Sequence, residues 1–341
     1  MVAKRGRILE IATSPHIRSG ASVDKIMRHV VYALLPASLF AVYVFGLAAL
    51  ITLTAAVVSC LLAEYVLCRL NGRQSSLGDW SIAVTGLLYG LTLPPGLPIW
   101  MVVLGGVVAV AVGKFLFGGL GCNAFNPALV GRAFLQAAFP VAMTTWYPSL
   151  GADRFTSVPS SLLAFPFSTP SYDATTGATP LSAMKFDGNM TDTSDLIMGL
   201  TTGSTGETSA LLLLAGGAYL VARNFMNWRI PVAILGTVFV MTALLHWASP
   251  ASYPQPLFML FAGGLMLGAL FMATDMVASP MTSRGVVAYG VLIGVLIVVI
   301  RLWGGMPEGV MYAILFANAV SPHIDNLVRP RVYGAKPEAE S

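Results

Sequence analysis

Very little of this sequence is charged. Asp, Glu, Lys and Arg make up 10% of its 341 residues, against about 25% in soluble domains, which excludes an ordinary water-soluble fold. Cysteine is nearly missing. Cys60, Cys68 and Cys122 are too few and too scattered for a four-thiolate cluster or a disulfide framework, and read as small apolar residues. No glycine fingerprint joins a strand-like run to a helix, which excludes a dinucleotide-binding domain. His246 and His323 stand near the ends of apolar runs without metal-ligand spacing, so no metal site is expected. The basic residues are dispersed at the ends of apolar runs rather than gathered in a patch, which argues against a nucleic-acid partner and for a lipid bilayer.

Apolar sequence is what abounds. Hydrophobic residues reach 56%, mean hydropathy is +0.76, and several runs approach the twenty residues that cross a bilayer as a helix. The fold class is therefore an all-α polytopic membrane protein. Ten spans are expected near 29–46, 48–68, 80–93, 98–116, 127–147, 208–223, 230–248, 257–275, 286–303 and 307–324. The third is too short for about 30 Å of hydrocarbon and ends in LPPGLP, whose prolines break the hydrogen-bond ladder, so a broken or tilted element is expected there. Ahead of the first span, Ser22 is placed to cap a short helix, VDKIMRHV, along the membrane surface.

Alternating the spans from a cytoplasmic N-terminus puts sixteen of the nineteen Lys and Arg residues inside, leaving only Arg154, Lys185 and Arg301 outside. Cytoplasmic loops carry the excess of Lys and Arg, so this bias sets the orientation. The chain then divides into a cytoplasmic N-terminal segment (1–28), which no small-residue site marks for cleavage, a first five-helix unit (29–147), an extracytoplasmic loop (148–207), a second five-helix unit (208–324) and a cytoplasmic tail (325–341). The long outer loop is acidic, with Asp153, Asp173, Asp187, Asp192, Asp195 and Glu207. Loops of that length usually carry function.

Two segments echo one another. FGGLGCNAFNPALVGRAFL (117–135) and RLWGGMPEGVMYAILFANAV (301–320) each place a Gly-Gly pair ahead of a proline, and LTLPPGLP (91–98) loosely matches ATDMVASP (273–280). With five spans per unit the second copy would be inverted, an arrangement with broken helices that is typical of transporters.

The outer loop holds SYDATTGATPL (171–181). In Asp173-x-x-Thr176-Gly177-Ala178-Thr179, Gly177 lets the chain bend, Ala178 adds no bulk, and the Thr179 hydroxyl could be offered to a modifying enzyme. A polar turn capped by Asp or Thr has the same composition. The motif is, however, similar to the Asp-x-x-Ser/Thr-Gly-Ala-Thr acceptor at which flavin transferases attach FMN. SPHI (14–17), GCNAFNPALVGRAFL (121–135), STGETSALLLLAGGAYL (204–220), ATDMVASP (273–280) and GGMPEGVMYAILFANAVSPHID (304–325) complete a resemblance over nearly the whole chain. The chain resembles the D subunits of the Rnf ion-translocating electron-transport complexes, relatives of the usually longer B subunits of sodium-pumping NADH:quinone reductases.

That resemblance implies FMN on Thr179 by a phosphoester, with Asp173, Thr176, Gly177 and Ala178 as the recognition motif, and a riboflavin held non-covalently within the membrane. It implies a bacterial cytoplasmic (inner) membrane, a flavin transferase for maturation, and the A, B, C, E and G components of the Rnf complex as partners that pass electrons between ferredoxin and NAD while Na⁺ or H⁺ moves. A flavin-free channel or transporter on the same architecture, or a scaffold whose acidic loop docks partners, would lack the acceptor motif.

Ionisable groups in spans are functional candidates by default. Glu64 and Asp275 are the ion-path candidates. Glu207 and Glu308 also suit helix N-termini, where a carboxylate is favoured. Arg132 reads either as an interfacial anchor or as the partner of an acid or of a reduced flavin's charge.

Overall fold

The computed structural model describes residues 22–72, 77–166, 177–207 and 209–329. Among these, regular structure is helical throughout, with no strand. The main elements are α1 (Val23–Phe45), α2 (Leu47–Leu70), α3 (Ser81–Leu91), α4 (Ile99–Val110), α5 (Pro127–Ala138), α6 (Ala210–Ala222), α7 (Arg229–Ala248), α8 (Pro256–Phe261), α9 (Ser283–Trp303) and α10 (Val310–Leu327). Of these, α1, α2, α7 and α9 are long and apolar enough to cross a membrane, while α3, α4 and α6 are shorter apolar helices. Leu39, Val58, Leu62, Val240 and Leu244 are exposed on their outer faces. Exposed leucine and valine on long helices suit lipid and not water.

The faces turned inward are built from small residues. Ala33, Ala37 and Ala41 of α1 and Ala49, Ala56 and Cys60 of α2 are buried. Lipid gives helices no hydrophobic drive to associate, so close backbone approach between small residues does the work. α1 packs on α6, and a Cβ added at Gly216 would come within 2.6 Å of the Ala33 carbonyl. Gly216→Leu is therefore expected to wedge α1 from α6 and cost about 1–3 kcal/mol. Gly236 has nothing within 4 Å of such a Cβ, so Gly236→Leu should leave the thermal midpoint in detergent unchanged. Equal midpoints for the two variants would contradict this packing.

Within the first half, α2 lies against α3 and α4, and α4 against α5. Within the second, α7 lies against α8 and α9, and α9 against α10, while α5 and α10 touch across the halves. The sequence echo is looser than this packing. Gly118 and Gly119 take positive φ of 119° and 106°, whereas Gly304 is extended at φ −72°. Pro127 opens α5, but Pro307 stands three residues before α10.

Several boundaries depart from expectation. The surface helix expected over 23–30 is instead the first turns of α1, so the expected boundary at 28/29 falls inside one continuous helix. Asp24 and Arg28, an i,i+4 pair at 3.1 Å, support those polar turns, and the Ser22 side chain makes no cap bond. The fifth element stops at Ala138, because Pro140 has no N–H to continue it. The third ends at Leu91 as its prolines predict.

The eighth element, expected as one span, is interrupted. α8 ends at Phe261, Gly263 takes φ +67°, and the chain rewinds only at Leu265–Leu267 before a wide turn over Gly268–Met272. The carbonyls freed at the break are met by Arg301 of α9, which is fully buried: Nη1 donates to Met259 O at 2.6 Å and Nη2 to Ala262 O at 2.8 Å. A non-helical stretch at membrane depth needs such internal partners.

A second exchange joins the segment ahead of α6 to the end of α3. Thr205 N donates to Leu93 O at 3.1 Å, Gly206 N to Leu91 O at 2.6 Å, and Thr205 Oγ1 to Gly90 O at 2.8 Å. The Leu91 carbonyl, which α3 leaves open where it stops, is thereby satisfied. Only glycine allows this approach at 206, since a Cβ would lie 2.7 Å from Leu91 O.

Candidate functional site

Thr179 stands immediately before a short helical turn, Pro180–Ser182, with extended backbone at φ −69° and ψ 154°. Its Oγ1 accepts from Ser182 N at 3.2 Å, and the side chain lines a cavity of about 460 Å³. Gly177 N donates to Trp146 O at 3.1 Å. A Cβ at Gly177 would press to 3.0 Å from the Thr202 side chain, so this glycine permits a close approach as well as a bend. Ala178 lines the same cavity. Asp173 and Thr176 lie outside the described residues.

The segment after Thr179 is fastened down. Lys185 Nζ donates to the carbonyls of Ile300, Arg301, Gly304 and Met306 at the end of α9. A cation at a helix C-terminus meets both unpaired carbonyls and the negative end of the macrodipole. Burial draws the Lys185 ammonium below its ordinary pKa.

The same cavity wall carries Arg132 and Gln136 from α5, Trp146, Glu207, Glu308 and Tyr312. Arg132 Nη2 pairs with Glu308 Oε2 at 3.2 Å, and Glu308 Oε1 accepts from Gly264 N at 2.6 Å, at the break after α8. Glu207 Oε1 accepts from Ser204 Oγ at 2.8 Å. A Cβ at Gly263 would lie 3.1 Å from Glu308 Oε1 and 3.2 Å from Arg301 Nη2, so the break is where these charges converge. Neither acid is a helix cap. Ser209 caps α6 by accepting from Leu212 N, and α10 begins two residues beyond Glu308. Arg132 is not an anchor at a helix end either; it is the partner of an acid. Its pairing with Glu308 spans 176 residues, which no local pattern signals.

The two ion-path candidates lie elsewhere. Glu64 is buried, with both oxygens 2.8 Å from Lys114 Nζ. Lys114 also donates to Ser81 Oγ at 2.8 Å, and Ser81 Oγ to Asp79 Oδ1 at 2.6 Å. Sequence reasoning missed this role of Lys114. The available signal was a lysine in an apolar run, which in a membrane needs an acid. Asp275 Oδ2 accepts from Asn123 Nδ2 at 2.9 Å and Oδ1 from Val277 N at 3.1 Å.

Asp275, Lys114, Asn123 and Asn126 line a second cavity of about 130 Å³. Asn126 caps α5 by accepting from Ala128 N at 3.0 Å and donates to Met272 O at 3.1 Å, which joins GCNAFNPAL to the segment before ATDMVASP. Pro127 lines this cavity and Gln136 the other. At 1.5 Å per residue those lining positions stand roughly 13 Å apart along α5. Among the described residues no group of three His, Cys, Asp or Glu could hold a metal ion.

Residues 10–334 match the NQR2, RnfD, RnfE family. The chain is 40% identical over 339 residues to the D component of a proton-translocating ferredoxin:NAD(+) oxidoreductase complex from Clostridium ljungdahlii, covering 96% of this chain and 97% of the relative. It is 40% identical over 330 residues to the D component of a Na(+)-translocating ferredoxin:NAD(+) oxidoreductase complex from Acetobacterium woodii, covering 96% and 95%. It is 39% identical over 340 residues to the D component of an ion-translocating oxidoreductase complex from Halorhodospira halophila, covering 95% of each.

Proposed function

The chain belongs to the NQR2, RnfD, RnfE family, and from that premise we propose that it is the flavin-carrying membrane subunit of an ion-translocating oxidoreductase complex that exchanges electrons between ferredoxin and NAD. It acts as one part of a multi-subunit redox-driven pump in a bacterial inner membrane, beside the A, B, C, E and G components. The observation that carries the flavin reading is the Thr179 hydroxyl on the wall of a cavity of about 460 Å³. That volume is in the usual range for small-molecule sites, roughly 300–1,000 Å³. Trp146 and Tyr312 supply faces for a flat ring, and Arg132 supplies a donor.

FMN joined to Thr179 would supply electron storage and transfer. The chain's own residues do the rest. Gly177 and Trp146 fix the approach to Thr179, and Lys185 ties the following turn to α9. The ion pair of Arg132 and Glu308 and the Glu207 carboxyl set the charge around the cavity. The riboflavin that the resemblance implies does not fit the second cavity, which at about 130 Å³ falls below the roughly 300–1,000 Å³ of small-molecule sites and whose Asn123 and Asn126 amides are already engaged by Asp275, Phe125 O, Met272 O and Ala128 N.

For topology we propose ten crossings in two inverted units, with both termini cytoplasmic and the Thr179 loop outside. Support comes from the parallel packing of α2–α5 and α7–α10 and from the bias of basic residues. The relatives from C. ljungdahlii and A. woodii are equally similar, yet their names differ in the ion. Transport by the complex in sealed vesicles, with Na⁺ or H⁺ alone, decides that point.

Intact-mass measurement tests the central reading. The protein, made together with a flavin transferase and denatured, is expected to carry one FMN less a water. A bare polypeptide would favour the flavin-free transporter instead.

A further inference from the structure

The cavity beside Thr179 holds a polar group that the fold leaves unused. Arg132 is 9% exposed. One of its terminal nitrogens meets Glu308, but its Nε is buried and has no hydrogen-bond partner among the described residues. Burying an N–H without an acceptor is unfavourable, and such a group calls for an explanation. The other charges here are engaged. Glu308 is shared between Arg132 and Gly264 N, Glu207 takes the Ser204 hydroxyl, and Arg301 holds the carbonyls of Met259 and Ala262. Arg301 also keeps a free Nε, but it is not on the cavity wall. Arg132 is therefore the guanidinium on this cavity's wall that keeps an unpartnered donor.

We propose that Arg132, held in place by Glu308, is the residue that positions the ring of the Thr179-linked flavin and raises its reduction potential. The proposal rests on the flavin reading above. A guanidinium offers donors in a fixed plane, and the pyrimidine edge of an isoalloxazine offers neighbouring acceptors in a plane. Reduction gathers negative charge at that edge. A fixed cation beside the ring favours the added electrons, and charge near the ring is one of the few means by which a protein tunes such a cofactor. Glu308 has two opposed effects: it fixes the guanidinium's orientation, and its negative charge offsets part of the guanidinium's field.

The pair predicts shifts of opposite sign. In the whole complex, the signal of this flavin is isolated as the difference between parent and Thr179→Val in a spectroelectrochemical titration. In-gel fluorescence of the denatured subunit reports attachment separately. Arg132→Gln should keep the fluorescent adduct and shift its midpoint potential downward, and Arg132→Lys should recover part of that shift. Glu308→Gln, which leaves the cation less neutralised, should shift the potential upward. A merely structural role would move both in one direction. A fluorescent Arg132→Gln subunit with the parent's potential overturns the inference while leaving Thr179 as the attachment site. If Arg132→Gln does not assemble, Arg132→Lys and Glu308→Gln decide, and unmoved potentials in both overturn it. A parent complex without the fluorescent adduct removes the flavin reading and this inference together.

Discussion

Thr179→Val should abolish covalent flavin entirely, while Thr179→Ser keeps it. Valine retains the β-branch and tolerates the extended backbone of this position. What it loses inside the protein is the oxygen that accepts from Ser182 N at 3.2 Å, a capping contact of about 1 kcal/mol. The subunit should therefore fold and reach the membrane with its cavity in place and no attachment atom. Serine restores the oxygen. In-gel fluorescence of the denatured subunit, normalised to protein, reads the result directly. A valine variant as fluorescent as the parent would falsify the site and send the search to other hydroxyls of the loop.

The largest effect on stability belongs to Lys114→Met. It leaves the Glu64 carboxylate buried, at 2% exposure, facing the space where Lys114 Nζ had been 2.8 Å from both oxygens. Removing one partner of a buried pair costs about 3–5 kcal/mol, much of it the penalty of the charge left behind. The double change of Lys114→Met with Glu64→Gln removes that charge and should recover most of the loss. Thermal unfolding in detergent checks both, and a double variant no more stable than Lys114→Met alone would mean the two groups are not energetically linked. The same pairing bears on Glu64 as an ion-path residue. Its carboxylate already has a resident cation, so any ion using it must displace Lys114.

What the sequence made legible was local. α2 and α9 are continuous apolar runs with boundaries a few residues from those expected, and the proline-ended α3 stops where LPPGLP begins. The motif that singles out Thr179 is legible because it runs over seven consecutive residues. What was not legible depends on residues far apart in the chain. Glu64 meets Lys114 across 50 residues and Arg132 meets Glu308 across 176, and each side chain alone has a local interpretation. The interruption after α8 was missed because Gly263-Gly264 sits inside an apolar run, where glycine is common in membrane helices. The donors that sustain it come from Arg301, some 40 residues later, and a continuous helix would not need them.

One helix forms part of both cavities, and this has a mechanical consequence. α5 has twelve residues, opened by the Asn126 cap. Each residue turns a helix by about 100°. One extra residue after Arg132 would swing Gln136 off its wall while Pro127 kept its own. The gauge between the chambers is thus set by residue count and helical phase together, and loop motions on either side cannot stretch it.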